Sequence, residues 1–210
     1  MIITISRMFG SGGSDVAARV AQQLGWSLFD NAVVDEVADR LGVSRTEVKS
    51  LEERVPSFAE RIASSLALSA PELAVPVDDA PMMQTAETRI VGVTKRVMEE
   101  AVHGGNAVLV GRGAQAMLAD RPDALHVFCY APREVLIEYA IAHRGVSRAN
   151  AGAEVDRMNK QREQYVKRHW GRDWKSFSNY HLCIDTGRWG IEGAADLVVY
   201  AARRRFSPSS

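Results

Sequence analysis

Apolar residues change their spacing repeatedly along this chain, and each change marks an element. Residues 2–5 are a short β-rich run. Beyond the glycine-rich stretch Gly10-Ser11-Gly12-Gly13-Ser14, Val16, Ala17, Val20, Ala21 and Leu24 recur at helical spacing until Gly25. That order predicts strand, glycine loop and helix. A second apolar run, 26–29, ends at Asp30 and leads into a helix over 31–41, capped by Asn31 or Asp30. Ser44 and Glu47 form a capping box that opens a helix at 45–54, and Pro56 ends it. An amphipathic helix follows at 57–70. Residues 71–81 hold three of the seven prolines and predict a loop. A long helix is expected over 84–102, with Ile90, Val91, Val97, Met98 and Val102 on its apolar side.

Ala107 to Val110 predicts a strand, followed by Gly111-Arg112-Gly113 and a short helix to about 118. Another strand covers 125–130. Pro132 is expected at the first position of the next helix, where a missing N–H costs nothing; that helix ends near Gly145. Residues 147–169 form a long charged helix, 181–184 the last strand and 191–205 the last helix. Strands alternating with helices predict an α/β fold with a parallel sheet covered on both faces. The chain carries no internal repeat and no low-complexity tract.

Composition narrows the function classes. With 210 residues and 46% hydrophobic content the chain can bury one sizeable core, and its length favours one domain. Lys+Arg and Asp+Glu balance at 26 each, so bulk charge points to no nucleic-acid or strongly acidic partner. The start, MIITISRMFG, does not read as a signal peptide, and no apolar run approaches a membrane span; a cytoplasmic location without membrane contact is expected. Cys129 and Cys183 lie in apolar runs and read as buried free thiols. The five histidines share no metal-ligand spacing, and His126 and His181 read as strand residues.

The strand–glycine loop–helix unit carries the chemistry. Backbone N–H groups converge at such a turn, the helix dipole adds positive charge, and glycines let a phosphate approach. The full pattern G-x-x-x-x-G-K-[ST] is not met: residue 13 is glycine in the lysine place and residue 7 is arginine in the first glycine place. On these residues alone, a phosphate cradle and a plain glycine-rich turn both remain open.

Five segments, in order, resemble the cytidylate kinase-like family, a branch of the P-loop nucleoside monophosphate kinases. They are residues 5–17 (ISRMFGSGGSDVA), 26–30 with the helix after it, 109–114 (LVGRGA), the stretch from Tyr165 through 169–174 (HWGRDW), and 184–187 with 190–193. The resemblance spans nearly the whole chain. It implies a P-loop NTPase-type parallel sheet flanked by helices in one domain, 1–210, with a helical acceptor-binding insertion at 43–86 and a lid at 145–175. It also implies ATP and Mg²⁺.

The roles follow from that resemblance. Gly10, Ser11, Gly12, Gly13, Ser14 and Asp15 would bind the donor phosphates, and Ser14 or Asp15 would help hold Mg²⁺, although Asp15 would serve equally as a helix cap. Arg7 is the nearest replacement for the absent lysine, or else a solvated strand-end arginine. Arg112 would grip the acceptor monophosphate in bidentate fashion, or sit in a surface turn. Asp30 would orient the acceptor or cap the next helix. Between Arg144 and Lys175 nine Lys/Arg face four Asp/Glu, as suits a lid closing over phosphates. Arg162 falls at the family's lid arginine; Arg157 and Lys160 are further candidates, and a solvated helix face is the alternative for each. Asn159 stands where the family's lid usually has aspartate, with Asp156 able to compensate. Asp185 and Thr186 would lie beside the donor nucleotide or simply form a strand-end turn. Trp170, Trp174 and Trp189 would stack on a base or pack internally.

Three readings follow: phosphoryl transfer from ATP to a nucleoside monophosphate, CMP or dCMP by resemblance; the same chemistry on another small phosphate acceptor; or a non-catalytic nucleotide-binding regulator. The 57–70 helix has apolar surface for a homodimer or for packing within the chain.

Overall fold

The computed structural model describes residues 1–30 and 86–206. The helices expected at 31–41, 45–54 and 57–70, the loop at 71–81, nearly all of the 43–86 insertion and the last four residues lie outside the described residues.

Five strands form one parallel sheet: β1 (Ile2–Arg7), β2 (Ser27–Phe29), β3 (Ala107–Val110), β4 (Ala124–Tyr130) and β5 (Leu182–Asp185), in the order β2-β3-β1-β4-β5. The two central strands explain why their sequences lack alternation. Ile2, Ile3 and Ile5 of β1 and Ala124, Leu125 and Val127 of β4 are all buried, because helices cover both faces. On one face, α1 (Gly13–Leu24) and α6 (Thr186–Phe206) pack Val16, Val20, Ala194 and Val198 against Ile3, Ile5, Val108 and Val127. On the other, α2 (Ala86–His103) and the one-turn α3 (Ala114–Met117) bring Met98, Val102 and Leu118 onto Ile2, Ala107 and Leu109. Further along that face, Val166 of α5 (Ala151–Trp170) and Trp174 cover Phe128. The remaining helix, α4 (Arg133–Arg144), packs Leu136 and Ala140 against Val155 of α5.

Helix ends agree with their sequence signals. Gly25, Gly145 and Gly171 all close helices in the left-handed conformation. Three details differ from expectation. Pro132 is the N-cap of α4, with ψ 148, one residue before the first helical position. The last helix begins at Thr186 and breaks at Gly190 (φ 66, ψ 178) instead of starting at Ile191. Cys129 is buried, but Cys183 is exposed because β5 is an edge strand; burial pushes the Cys129 thiol up to about 12, so it is inert.

β1 has β3 on one side and β4 on the other. The chain reverses its order there, and a crevice opens beyond the carboxyl ends of the strands, where α/β proteins place their ligands.

Candidate active site

The β1–α1 turn is built to expose its main chain. Met8 N–H donates to the Cys129 carbonyl (2.9 Å), while the Ser11 hydroxyl and N–H both return to the Met8 carbonyl (2.9 and 3.2 Å). Gly10 (φ 83) backs onto α4 so closely that a Cβ would lie 2.2 Å from the Leu136 carbonyl oxygen. Gly12 (φ 67) is the N-cap of α1. The N–H groups of Gly13 and Ser14 therefore open the first turn, where no intrahelical carbonyl can reach them and the helix dipole is positive. They face an open cleft of about 530 Å³, lined also by Arg7, Ser14, Asp30, Arg144 and Arg162.

Arg7 is not a solvated strand-end residue. Its side chain is 19% exposed, and its Nη2 donates to Asp30 Oδ1 at 3.4 Å, with Asp30 equally enclosed. Its buried Nε has no hydrogen-bond partner among the described residues. Two glycines make room for it. A Cβ on residue 13 would stand 2.4 Å from Arg7 Cβ, and one on residue 111 would stand 1.8 Å from Arg7 Nη1. Burial pulls the Arg7 pKa down, Asp30 opposes that pull, and Arg144 adds to it.

Gly111, Arg112 and Gly113 form a left-handed turn with φ of 70, 53 and 73. Arg112 is the one non-glycine with positive φ among the described residues, a conformation that costs an L-residue about 1–2 kcal/mol. Such strain persists where a side chain must be aimed. Arg112 is half-buried rather than a surface residue, and burial draws its pKa down to about 10, with Tyr165 and Asp30 counteracting and Arg7 adding to the fall. It does not line the cleft but stands within electrostatic reach of Arg7 and Asp30.

Helix α5 is fastened to the loop. Buried Asn159 accepts from the Phe9 N–H (2.7 Å), and Arg162 Nη1 donates to the Arg7 carbonyl (2.7 Å) with its guanidinium over the Phe9 ring. Residues 159 and 162, three apart, share a helix face. Arg157 does not join them: it is exposed, bonded to Glu154 (2.6 and 2.8 Å) and Gln161 (3.0 Å), away from the cleft lining. Lys160 is exposed too. Asp156 is paired with Arg133 (2.8 Å) and does not compensate for Asn159.

Other expected site residues have partners within the chain. Asp15 is not a cap; its carboxylate accepts a short hydrogen bond from the Tyr139 hydroxyl and lies 3.9 Å from Arg144. Burial, and then this bond, push Tyr139 up to about 12. No group of three or more His, Cys, Asp or Glu side chains is placed for a metal among the described residues, and the Ser14 hydroxyl on the cleft wall is a group that would fit Mg²⁺. Phosphate oxygens and water would complete its shell. Asp185 caps the turn after β5, accepting from the Gly187 and Arg188 N–H groups (3.0 and 3.3 Å), and the Thr186 hydroxyl donates to the Tyr130 carbonyl (3.0 Å). Neither lines the cleft. Trp174 is buried edge-on to Phe128, Trp170 packs where a Cβ on Gly113 would be 2.5 Å away, and Trp189 is exposed. Arg144, Tyr139 and the Asn159 tether went unforeseen as site features. Only the basic excess of the segment starting at Arg144 hinted at the first.

The sequence model of the cytidylate kinase-like family matches residues 2–188. Relatives described as cytidylate kinases include one from Aeropyrum pernix, 28% identical over 198 residues (93% of this chain, 95% of the relative). Another, from Methanopyrus kandleri, is 24% identical over 198 residues (90% and 86%). Among solved structures, an uncharacterized protein from Eubacterium ventriosum superposes with a TM-score of 0.68 at 20% identity (96% of this chain, 98% of the other). The shikimate kinase of Acinetobacter baumannii gives 0.54 at 13% (99% and 95%). At those identities the superpositions show the P-loop kinase fold.

Proposed function

This chain belongs to the cytidylate kinase-like family and is a nucleoside monophosphate kinase-like phosphotransferase, and from that premise we propose that it transfers the γ-phosphoryl group of ATP to CMP or dCMP. The observation that carries this reading is the cleft at the carboxyl end of β1, where the first-turn N–H groups of α1 meet the side chains of Arg7, Arg144 and Arg162. Phosphoryl transfer asks a protein mainly to position two anions and stabilise the charge passing between them.

In this reading the main chain of Gly10 to Ser14 holds the donor phosphates. Arg7, Arg112 and Arg162 supply the positive charge near the transferring group, and Ser14 would help hold Mg²⁺, which would supply further positive charge to offset that of the phosphates. Asp30 and Arg112 face the acceptor side, at the ends of β2 and β3. Arg157 is outside the set. The chain works as one domain, with α5 as lid and the 43–86 segment bounding the acceptor, in the cytoplasm where its substrates are. The Asn159 tether favours a working enzyme over a degenerate binder, because a lid residue without the usual charge still bonds the donor loop.

The test is ADP release with ATP, Mg²⁺ and a panel of CMP, dCMP, UMP and AMP. Turnover with CMP or dCMP well above the others is expected. A signal only with a different phosphate acceptor would move the assignment to that acceptor, and none with any would leave a nucleotide-binding protein.

A further inference from the structure

Arg7 is hemmed in by the fold. Its stem fills the space in which a residue-13 side chain would begin, and its head fills the space beside residue 111. A lysine at 13 and an arginine at 7 are thus mutually exclusive, and the cation of this loop enters from the end of β1. That entry has a consequence for a partner. A lysine on α1 has no reason to touch β2, whereas Arg7 reaches across to Asp30 at the end of β2, on the acceptor side. The contact is single-pointed and long, 3.4 Å, where a strong charge-assisted pair is 2.7–2.9 Å. Arg7 Nε has no partner among the described residues, and Arg112 and Arg144 add positive potential around the same guanidinium. Asp30 is the one carboxylate in contact with it among the described residues.

We propose that Arg7 is a shared cation, held by Asp30 when the donor site is empty and ceded to the donor phosphates when they bind, so that donor binding frees Asp30 for the acceptor. This rests on the kinase reading for the identity of the acceptor, but not for the exchange itself. Asp30 competes with the phosphate tail for one guanidinium, and removing its charge must tighten donor binding. By reciprocity, an acceptor that engages Asp30 improves the donor site, and the donor improves the acceptor site by the same factor.

The exchange is tested without any acceptor. AMP-PNP with Mg²⁺ is titrated into four proteins: the natural chain, Asp30→Asn, the swap Arg7→Gly/Gly13→Lys, and the swap carrying Asp30→Asn. The swap recreates the sequence G-x-x-x-x-G-K-S over residues 7–14 with its cation on α1. Asp30→Asn is expected to tighten AMP-PNP at least about five-fold in the natural loop, the low end of ordinary site coupling, and less than two-fold in the swap, where only the general loss of a negative charge remains. An equal effect in both loops, or weaker binding in Asp30→Asn, overturns the proposal. If the swap does not fold by circular dichroism, Arg7→Gln takes its place, and there too Asp30→Asn must tighten binding less than about two-fold. Inorganic tripolyphosphate is titrated in parallel. A natural chain that binds it with the predicted Asp30 dependence, yet phosphorylates no monophosphate, keeps the exchange and loses the kinase reading; one that binds neither probe ends both. In the acceptor arm, CMP should bind the natural chain more tightly with AMP-PNP present, and the swap should lose most of that gain.

Discussion

A methyl group on residue 111 would have to displace Arg7 Nη1, the far end of a flexible side chain, whereas one on residue 10 would meet the Leu136 carbonyl, which cannot move without α4. Two alanine substitutions of similar chemistry should therefore fail differently. Gly111→Ala is expected to cost about 1–2 kcal/mol for its left-handed backbone and to weaken ATP binding more than ten-fold by ejecting the guanidinium. Gly10→Ala should lower the melting temperature far more, or prevent folding. Thermal unfolding and ATP titration of both variants check this, and equal losses of binding at equal stability would count against Arg7 as the target of the Gly111 change. Arg7 also shows what a sequence hides at this scale. The glycine at 13 was visible as a departure from the lysine pattern, and the arginine at 7 as another. That each exists because of the other is a fact of overlapping volumes, which no spacing rule encodes.

Between elements, α5 meets the β1–α1 turn through Asn159 and Arg162. Asn159→Ala leaves the part-buried Phe9 N–H without its acceptor, which costs about 1 kcal/mol, and should raise the KM for ATP as the loop loosens. Asn159→Asp keeps the acceptor oxygen and should keep the fold. Arg162→Ala should impair turnover, and Arg157→Ala should leave it within about two-fold, since an exposed pair with Glu154 contributes little. Steady-state kinetics on the four variants tests the helix phase directly. That phase was legible in part: residues 159 and 162 fall on one face, and 157, five positions before 162, falls on another. Which face meets the loop depends on how α5 packs on Phe128 and α4, and that is tertiary information. At the opposite end of the sheet, β4 and β5 are joined by a histidine pair. Their rings stack at 5.0 Å, the His126 N–H donates to His181 Nδ1 at 2.9 Å, and the Thr4 hydroxyl lies 2.8 Å from His126 Nδ1. Burial, then His181, Arg205 and Arg172, hold His126 down at about 4, against an ordinary 6.5, and only a backbone contact at Leu118 opposes them. The folded state thus binds its proton less readily than the unfolded chain. Stability is full above about 6.5 and is lost as pH falls towards 4. Melting temperatures measured from pH 7.5 to 4.5 should fall over that window in the natural chain and less steeply in His126→Gln; parallel curves would remove His126 as the cause.

Across the whole molecule the sheet was the most legible part, for a physical reason. Strands buried on both faces must be continuously apolar, so 2–5, 107–110 and 125–130 announced themselves, and glycines closed the helices between them. The edge strand β5 is less distinct because part of it faces water, and the sequence left Asp185 and Thr186 open between a donor-side role and a strand-end turn, since the partners they find in their own turn and in β4 are set by tertiary packing. The charge balance was the least informative number of all. A chain with net charge zero gathers Arg7, Arg112, Arg144 and Arg162 around one crevice against Asp15 and Asp30, and Asp15 is partly spent on Tyr139. The crevice is locally cationic although the molecule is neutral, so its pull on a polyphosphate is short-ranged and salt should weaken it only where screening reaches inside. Raising ionic strength from about 0.1 M to 1 M shortens the Debye length from about 10 Å to about 3 Å. The association rate of a fluorescent ATP analogue should then fall only modestly, because there is no long-range field to lose. Its dissociation rate should rise several-fold, because the contacts in the partly open cleft are weakened. Stopped-flow measurements of both rates across that range separate the two. A large fall in the association rate would mean that the attraction extends well beyond the crevice, contrary to the neutral balance of the chain.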